Sequence, residues 1–202
     1  MNKPHYHGHR QRLRERLTKD STALADYELL ELLLAQSLPR HDTKPLAKEL
    51  LARFGSLRSV LYAPAAQLTE FKGFGPSTAA AWTLLRELWA RIQEAPLSTK
   101  DIFSDPRAIA DAARARFGTK GSEELWAAFL DNQNRAIAWE RITSGSVGHA
   151  VASPRDIVSP ALKHEAARVV LVHNHPGGST WPSPEDKAFT QHMVRTASGV
   201  NV

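Results

Sequence analysis

The spacing of apolar residues changes near residue 100, and this change limits the chain to a fold in two parts. Before it, KPLAKELLARF (44–54) has apolar residues at helical spacing, and a long amphipathic helix is predicted from about 77 to 94. After it, ELWAAFLD (124–131) and RAIAWERIT (135–143) predict two strands joined in a hairpin by a short polar turn. The pattern predicts an α+β protein whose first half is entirely helical.

The rest of the second half alternates strands and helices. Ser153 opens a predicted helix that runs to about Ala167, RVVLVHNH (168–175) has the pattern of a buried strand, and Ser183 begins a helix that ends near Gly199. This alternation fits either an α/β or an α+β domain.

The polar, proline-led segment PLSTKD (96–101) is the best candidate for a linker between the two parts. We therefore predict a helical domain over 1–95, a linker over 96–101 and a second domain over 102–202.

Composition excludes several kinds of site. The chain has no cysteine, so disulfides, thiolate zinc sites and cysteine nucleophiles are excluded, and a metal ion would be held by His, Asp or Glu. No apolar run is long enough for a membrane span, and the N-terminus lacks the apolar core of a signal peptide, which predicts a cytoplasmic protein with no membrane partner.

The net charge of +5 belongs to the first half of the chain. Residues 1–100 carry 15 Lys and Arg against 10 Asp and Glu, whereas 101–202 carry 11 of each. Such a distribution is typical of a polyanion-binding half joined to a neutral half, although a solvated surface accounts for it equally well. The N-terminal arm, with histidines at 5, 7 and 9 and arginines at 10, 12, 14 and 16, is predicted to be disordered.

The segment FKGFG (71–75) precedes a predicted helix and looks like a helix-hairpin-helix turn. In such a turn, glycines allow backbone N–H groups to approach a DNA phosphate, so that Lys72, Gly73 and Gly75 are candidate nucleic-acid contacts. A short glycine turn that only joins two helices has the same pattern.

The segment LVHNHPGGSTWPSPEDKAF (171–189) contains the strongest candidate site. Alternate residues of a strand share a face, so His173 and His175 can reach a single ion. Ser183, Pro184 and Asp186 form a complete helix start, which is structural in itself but also allows Asp186 to fold back as a third ligand. Two imidazoles and one carboxylate would leave a fourth position open for water, as hydrolytic zinc requires. A barrel hydrolase with the same His-x-His pair is excluded, because only 27 residues follow His175.

The complete pattern, His173-x-His175-Pro176 followed by Ser183 and Asp186, resembles the JAMM motif of MPN-domain metallopeptidases. Further segments resemble the RadC family, a bacterial branch of that fold, in the same order along the chain: GHRQRLRERL, DYELLELLLAQSLPRHDTKPLAKELLARFGSL, FKGFGPSTA, FLDNQNRAIAWE, SPRDIV and VVLVHNHPGG. The resemblance implies a helical domain followed by an α/β MPN domain of the cytidine-deaminase-like kind.

By resemblance, His173, His175 and Asp186 hold one Zn²⁺ ion, and an upstream glutamate is the general base. We align Glu124 with that position, and Glu123 is the alternative by a slip of one residue. Ser183 would stabilise the developing oxyanion. The chain has Gly177 where the family usually has Ser, and a bulky tryptophan two residues before Ser183, which would alter the mouth of the site.

The resemblance implies a zinc-dependent peptidase or isopeptidase-like hydrolase that acts on a protein or peptide whose identity no motif encodes. The alternative is a DNA-associated protein, linked to DNA repair, in which the MPN half is structural or vestigial. The family continues through further strands where this sequence ends in SGVNV, so the MPN domain is expected to be truncated, with 200–202 as the start of an unfinished strand.

Overall fold

The computed structural model describes residues 6–117, 122–144 and 152–202. Packing divides the chain into two compact units, one that extends to Arg86 and one that begins at Glu87. Within the described residues, no helix combines the length and the apolar character needed to cross a membrane.

The first unit is helical, as predicted. Its helices are α1 (Tyr6–Lys19), α2 (Asp26–Ser37), α3 (Lys44–Phe54), α4 (Leu57–Tyr62), α5 (Ala65–Leu68) and the beginning of α6 (Pro76–Glu94), which continues into the second unit. The core forms where apolar stripes of these helices meet, and Leu34, Ala47, Leu50 and Val60 are completely buried there.

The prediction of a disordered N-terminal arm is wrong from Tyr6 onward, because α1 packs on the unit through Leu13, which is 1% exposed. Arg10 donates to the carbonyls of Pro39 and His41. Arg16 forms an ion pair with Glu28 at 2.9 Å. These two arginines attach α1 to the rest of the unit.

The second unit is a three-stranded sheet covered by helices. A 3₁₀ turn (Ala95–Ser98) leads to α7 (Pro106–Phe117), β1 (Glu124–Leu130), β2 (Ala136–Ser144), α8 (Pro154–Lys163), β3 (Arg168–His173) and α9 (Pro184–Ser198). The strand order is β2-β1-β3, and both pairings are antiparallel. The predicted hairpin is confirmed, and within the described residues this half is α+β.

The central strand β1 is buried on both faces. Ala127 and Phe129 belong to the apolar cluster that includes residues of α8 and α9. Ala128 and Leu130 face the opposite side, in a cluster with Leu97. Leu97 lies inside the predicted linker 96–101 and is only 2% exposed, so this segment is part of the second core. The exact domain boundaries at 95 and 102 stay predictions.

Three element ends differ from the sequence prediction. Helix α8 ends at Lys163 instead of near Ala167, because Glu165 adopts a left-handed φ of 54° and the chain reverses there. Strand β3 ends at His173 instead of continuing to 175. Residues 200–202 form a turn in which the N–H groups of Val200 and Val202 both donate to the carbonyl of Ala197, so the expected start of a strand is not observed there.

Candidate metal centre

The two histidines lie where the sheet ends. His173 is the last residue of β3 and pairs with Leu125 of β1, so these two side chains share a face of the sheet. The chain then turns sharply, because the N–H of Gly178, at a φ of 78°, donates to the carbonyl of His175 at 2.8 Å. The turn keeps His175 beside His173 although it lies beyond the strand.

Helix α9 brings the carboxylate to the histidines through its N-terminal cap. Ser183 is the N-cap residue, and its hydroxyl oxygen accepts the Asp186 N–H at 3.1 Å. In return, Asp186 Oδ2 accepts the Ser183 N–H at 2.7 Å. Pro184 occupies the first turn, where its fixed φ suits a helix start. This capping box fixes the direction of the Asp186 side chain.

The three predicted ligands lie together with a spacing that suits zinc. The Nε2 atoms of His173 and His175 are 3.0 Å apart. Asp186 Oδ2 lies 3.4 Å from the first and 3.6 Å from the second. In a tetrahedral site with bonds of about 2.0–2.1 Å, neighbouring donor atoms are about 3.3 Å apart. Nitrogen and oxygen donors at this spacing fit a zinc ion with one position left open.

Electrostatics keep the carboxylate ready to bind a cation. Burial alone would raise the pKa of Asp186, but hydrogen bonds from Ser183 and the nearby His173 and His175 outweigh it, and the pKa lies below its ordinary value. The carboxylate is therefore ionised at neutral pH. The side chains of the three ligands are 22–27% exposed, so a small molecule can reach the group from solvent.

A cavity of about 970 Å³ opens onto these ligands. Glu123, Leu125, Ser183 and Phe189 line it together with both imidazoles. Its volume is at the upper end of the range typical of small-molecule sites. Trp181, in the loop that leads to α9, is 83% exposed.

The two neighbouring glutamates before the apolar part of β1 occupy different environments. Glu124, which the sequence analysis aligned as general base, is 3% exposed and accepts a hydrogen bond from Trp126 Nε1 at 2.8 Å. Its other oxygen lies 3.6 Å from Arg141. Because residues 124 and 126 face away from Leu125 and His173, Glu124 points to the side of the sheet opposite the histidines. Glu123 lines the cavity with them.

Two family comparisons cover most of the chain. Residues 103–202 match the RadC-like JAB domain, and residues 7–80 match the UPF0758 N-terminal domain. The chain belongs to the RadC family. JAB domains are related to hydrolases and often bind zinc, and the whole cluster of His173, His175 and Asp186 lies within the matched JAB segment of this RadC protein.

The glycine turn of the RadC N-terminal domain lies between α5 and α6. Gly73 has a φ of 99°, whereas Gly75 has no positive φ. Phe74 between them is buried against Trp82, at 5.3 Å between ring centroids. Lys72 is exposed and precedes α6, which begins at Pro76. The turn therefore packs into the core through Phe74 and also presents an exposed cation, Lys72.

The sequence alignment favours Glu124 and leaves Glu123 as the alternative, because β1 is buried on both faces and its apolar run has no alternation that shows which residues share the face of the histidines. It also overlooked Asn174, whose amide bonds to the segment before β1. Glu123 precedes Leu125 by two residues, so it shares the face of Leu125 and His173, but this follows only once the pairing of β1 with β3 is known.

Proposed function

We propose that the second unit of this RadC protein is a zinc-dependent hydrolase of peptide or isopeptide bonds. The observation that carries the proposal is the triangle of donor atoms from His173, His175 and Asp186, with sides of 3.0, 3.4 and 3.6 Å. A zinc ion held by these residues would polarise the scissile carbonyl and acidify a water molecule.

The general base in this proposal is Glu123. It lines the cavity on the side of the imidazoles, so its carboxylate takes a proton from the attacking water and later delivers it to the leaving amine. Glu124 is not used as the base, because its carboxylate is committed to Trp126 and Arg141 on the other face.

Ser183 supports the oxyanion in this proposal. Its oxygen accepts the Asp186 N–H, and this cap bond leaves the hydroxyl proton available to donate to a substrate oxygen. The same side chain therefore caps α9 and contacts the reacting group, so the structural and chemical roles are compatible.

Metal analysis after purification tests the site. We expect about one zinc per chain in the wild type and no bound zinc in His173→Ala, because two ligands do not hold the ion tightly. His192→Ala is the matched control, since His192 is an exposed histidine on the same helix as Asp186. Equal zinc in the wild type and His173→Ala would refute the metal site.

We propose DNA-backbone contact as a second function, located in the first unit. Two observations support it. Gly73 has a left-handed φ and lies beside the exposed Lys72. Arg53 is exposed and lies over the ring of Phe54, whose centroid is 6.1 Å from that of the Phe71 ring. Exposed cations in the turn, or beside a ring that packs on it, are what phosphate contacts would require.

Fluorescence anisotropy with duplex DNA at several salt concentrations tests this second function. We expect Lys72→Ala to weaken binding and to lower the slope of log K against log salt by about 1. Lys163→Ala, an exposed lysine of the second unit, is the control and should leave the slope unchanged. Binding that is absent or independent of salt would refute DNA contact.

A further inference from the structure

Asn174, the residue between the two histidines, bonds to the segment that carries Glu123. Its Oδ1 accepts the Glu124 N–H at 2.8 Å, and its Nδ2 donates to the Ser122 carbonyl at 3.0 Å. Both distances are typical of good hydrogen bonds. The side chain therefore holds the backbone on each side of Glu123.

These two bonds take the place of the next backbone pair that the β1–β3 ladder would have. The β1–β3 ladder ends at the pair Leu125–His173, and the next step would put Asn174 opposite Glu124. The chain instead leaves the sheet towards the turn at Gly178. A primary amide offers one carbonyl and one N–H group, as a peptide unit does, so the side chain of Asn174 continues the pairing that the backbone ends.

The two hydrogen bonds from Asn174 determine the direction of the Glu123 side chain. With Ser122 and Glu124 both held, the strand geometry extends back to residue 123, and its side chain falls on the face of Leu125 and His173. Glu124 is held from the opposite face by Trp126. Without Asn174, the segment before β1 would lose two of the bonds that fix this direction.

We infer that Asn174 is a positioning residue that holds Glu123 towards the metal centre. The inference rests on the proposed function, because it assigns Glu123 to the zinc site. It gives the middle residue of the His-x-His pair a role of its own: two residues supply ligands on one side, and the residue between them fixes the base from the other.

The visible spectrum of the Co²⁺-loaded full chain tests this role without a substrate. Cobalt takes the same nitrogen and oxygen ligands, and its ligand-field bands respond to groups close to the open coordination position. We expect Glu123→Gln to change the bands, and Asn174→Ala to retain one Co²⁺ per chain while reproducing at least half of that change. Adding Asn174→Ala to Glu123→Gln should then produce no further change.

A control variant separates positioning from general loosening. Asp131→Ala is the matched control: Asp131 follows the other end of β1 and also accepts two backbone N–H groups, from Gln133 and Arg135. It should leave the cobalt bands as in the wild type.

The outcomes distinguish this inference from the function on which it rests. A wild-type chain that binds no Co²⁺, or a Glu123→Gln variant with unchanged bands, would refute the proposed site and the inference together. If Glu123→Gln changes the bands but Asn174→Ala leaves them as in the wild type, only the inference is refuted. The inference is also refuted if Asp131→Ala changes the bands as much as Asn174→Ala does.

Discussion

At the residue scale, the adjacent glutamates Glu123 and Glu124 have the same chemistry and opposite surroundings. Glu124 is buried and bonded to Trp126, whereas Glu123 is partly exposed at the cavity with the histidines. Alternation along a strand is enough to cause this difference, because each residue faces the side opposite to its neighbour. Exchanging either carboxylate for an amide separates the two roles.

We expect Glu123→Gln to lower peptide hydrolysis by about 10²–10⁴-fold with zinc content unchanged, because the amide cannot accept the proton. Glu124→Gln should retain most activity. The measurement is mass spectrometry of a mixed peptide library digested by each variant. A Glu124→Gln variant without activity, beside an active Glu123→Gln, would reverse the assignment.

The two glycines of the turn before α6 provide a second residue-scale prediction. Gly73→Ala should lower the free energy of unfolding by about 1–2 kcal/mol, because a φ of 99° is unfavourable for a residue with a Cβ. The nearest atom to that Cβ would be Leu46 Cδ2 at 3.8 Å, so the cost is backbone strain and not a clash.

Gly75→Ala is the matched control, since Gly75 has no positive φ and open space around its Cβ position. Urea denaturation of both variants measures the difference. Equal stability of the two variants would contradict the account of the turn.

At the scale of elements, the helices differ in how their N-termini are capped. Helices α8 and α9 have a serine at the N-cap and an aspartate three residues later. Helix α2 instead begins after Ala25, whose methyl group cannot accept a hydrogen bond from the helix N-terminus. Part of the α2 start is supplied by Glu28, which accepts the Ala25 N–H at 3.0 Å. The other half of the capping box is absent.

We expect Ala25→Ser to stabilise the first unit by about 0.5–1 kcal/mol, because Ala25 is exposed and already has the extended conformation of an N-cap residue. Thermal denaturation measures the gain. Ala23→Ser, at an exposed position just before this helix start, is the control and should not stabilise the unit. A decrease in stability of Ala25→Ser would contradict the cap geometry.

Glu28 makes the same helix start sensitive to acid. The pKa of Glu28 is lowered by the hydrogen bond from the Ala25 N–H and by the Arg16 side chain. A carboxyl whose pKa is lowered by folding stabilises the protein above its unfolded value, about 4.3, and loses this contribution as the pH falls through its folded pKa. Glu28→Gln should therefore destabilise at pH 7 and have little effect in strong acid.

Urea denaturation of the wild type and Glu28→Gln from pH 7 down to acid measures this dependence. Glu15→Gln is the control, because Glu15 is an exposed residue of α1 that is not at a helix start. A difference between the wild type and Glu28→Gln that stays constant with pH would contradict the role given to the carboxylate.

At the scale of the whole molecule, the chain consists of two units with separate cores, and the candidate site lies in the second. The ligands come from the end of β3 and the start of α9. A bound ion would connect these elements and stabilise the second unit directly.

Removing zinc with a chelator should therefore raise hydrogen exchange of backbone amides in β3 and α9, while the amides of α3 in the first unit keep their protection. At a zinc concentration of about 100 times Kd, the bound ion would contribute about 2.7 kcal/mol. Hydrogen exchange with mass spectrometry measures both regions. His173→Ala is the control and should not respond to the chelator.

The sequence by itself determined the two-part fold and the group of His173, His175, Ser183 and Asp186. These depend on local features: the period of the apolar residues, a turn, and a helix cap that spans the four residues from Ser183 to Asp186. Only the tertiary structure placed Glu123 at the cavity with the histidines and brought Asn174 into hydrogen bonds with Ser122 and Glu124 on either side of it. Both depend on the register of β3 against β1. Because β1 is apolar on both faces, its own sequence does not indicate which of its residues share the face of the histidines.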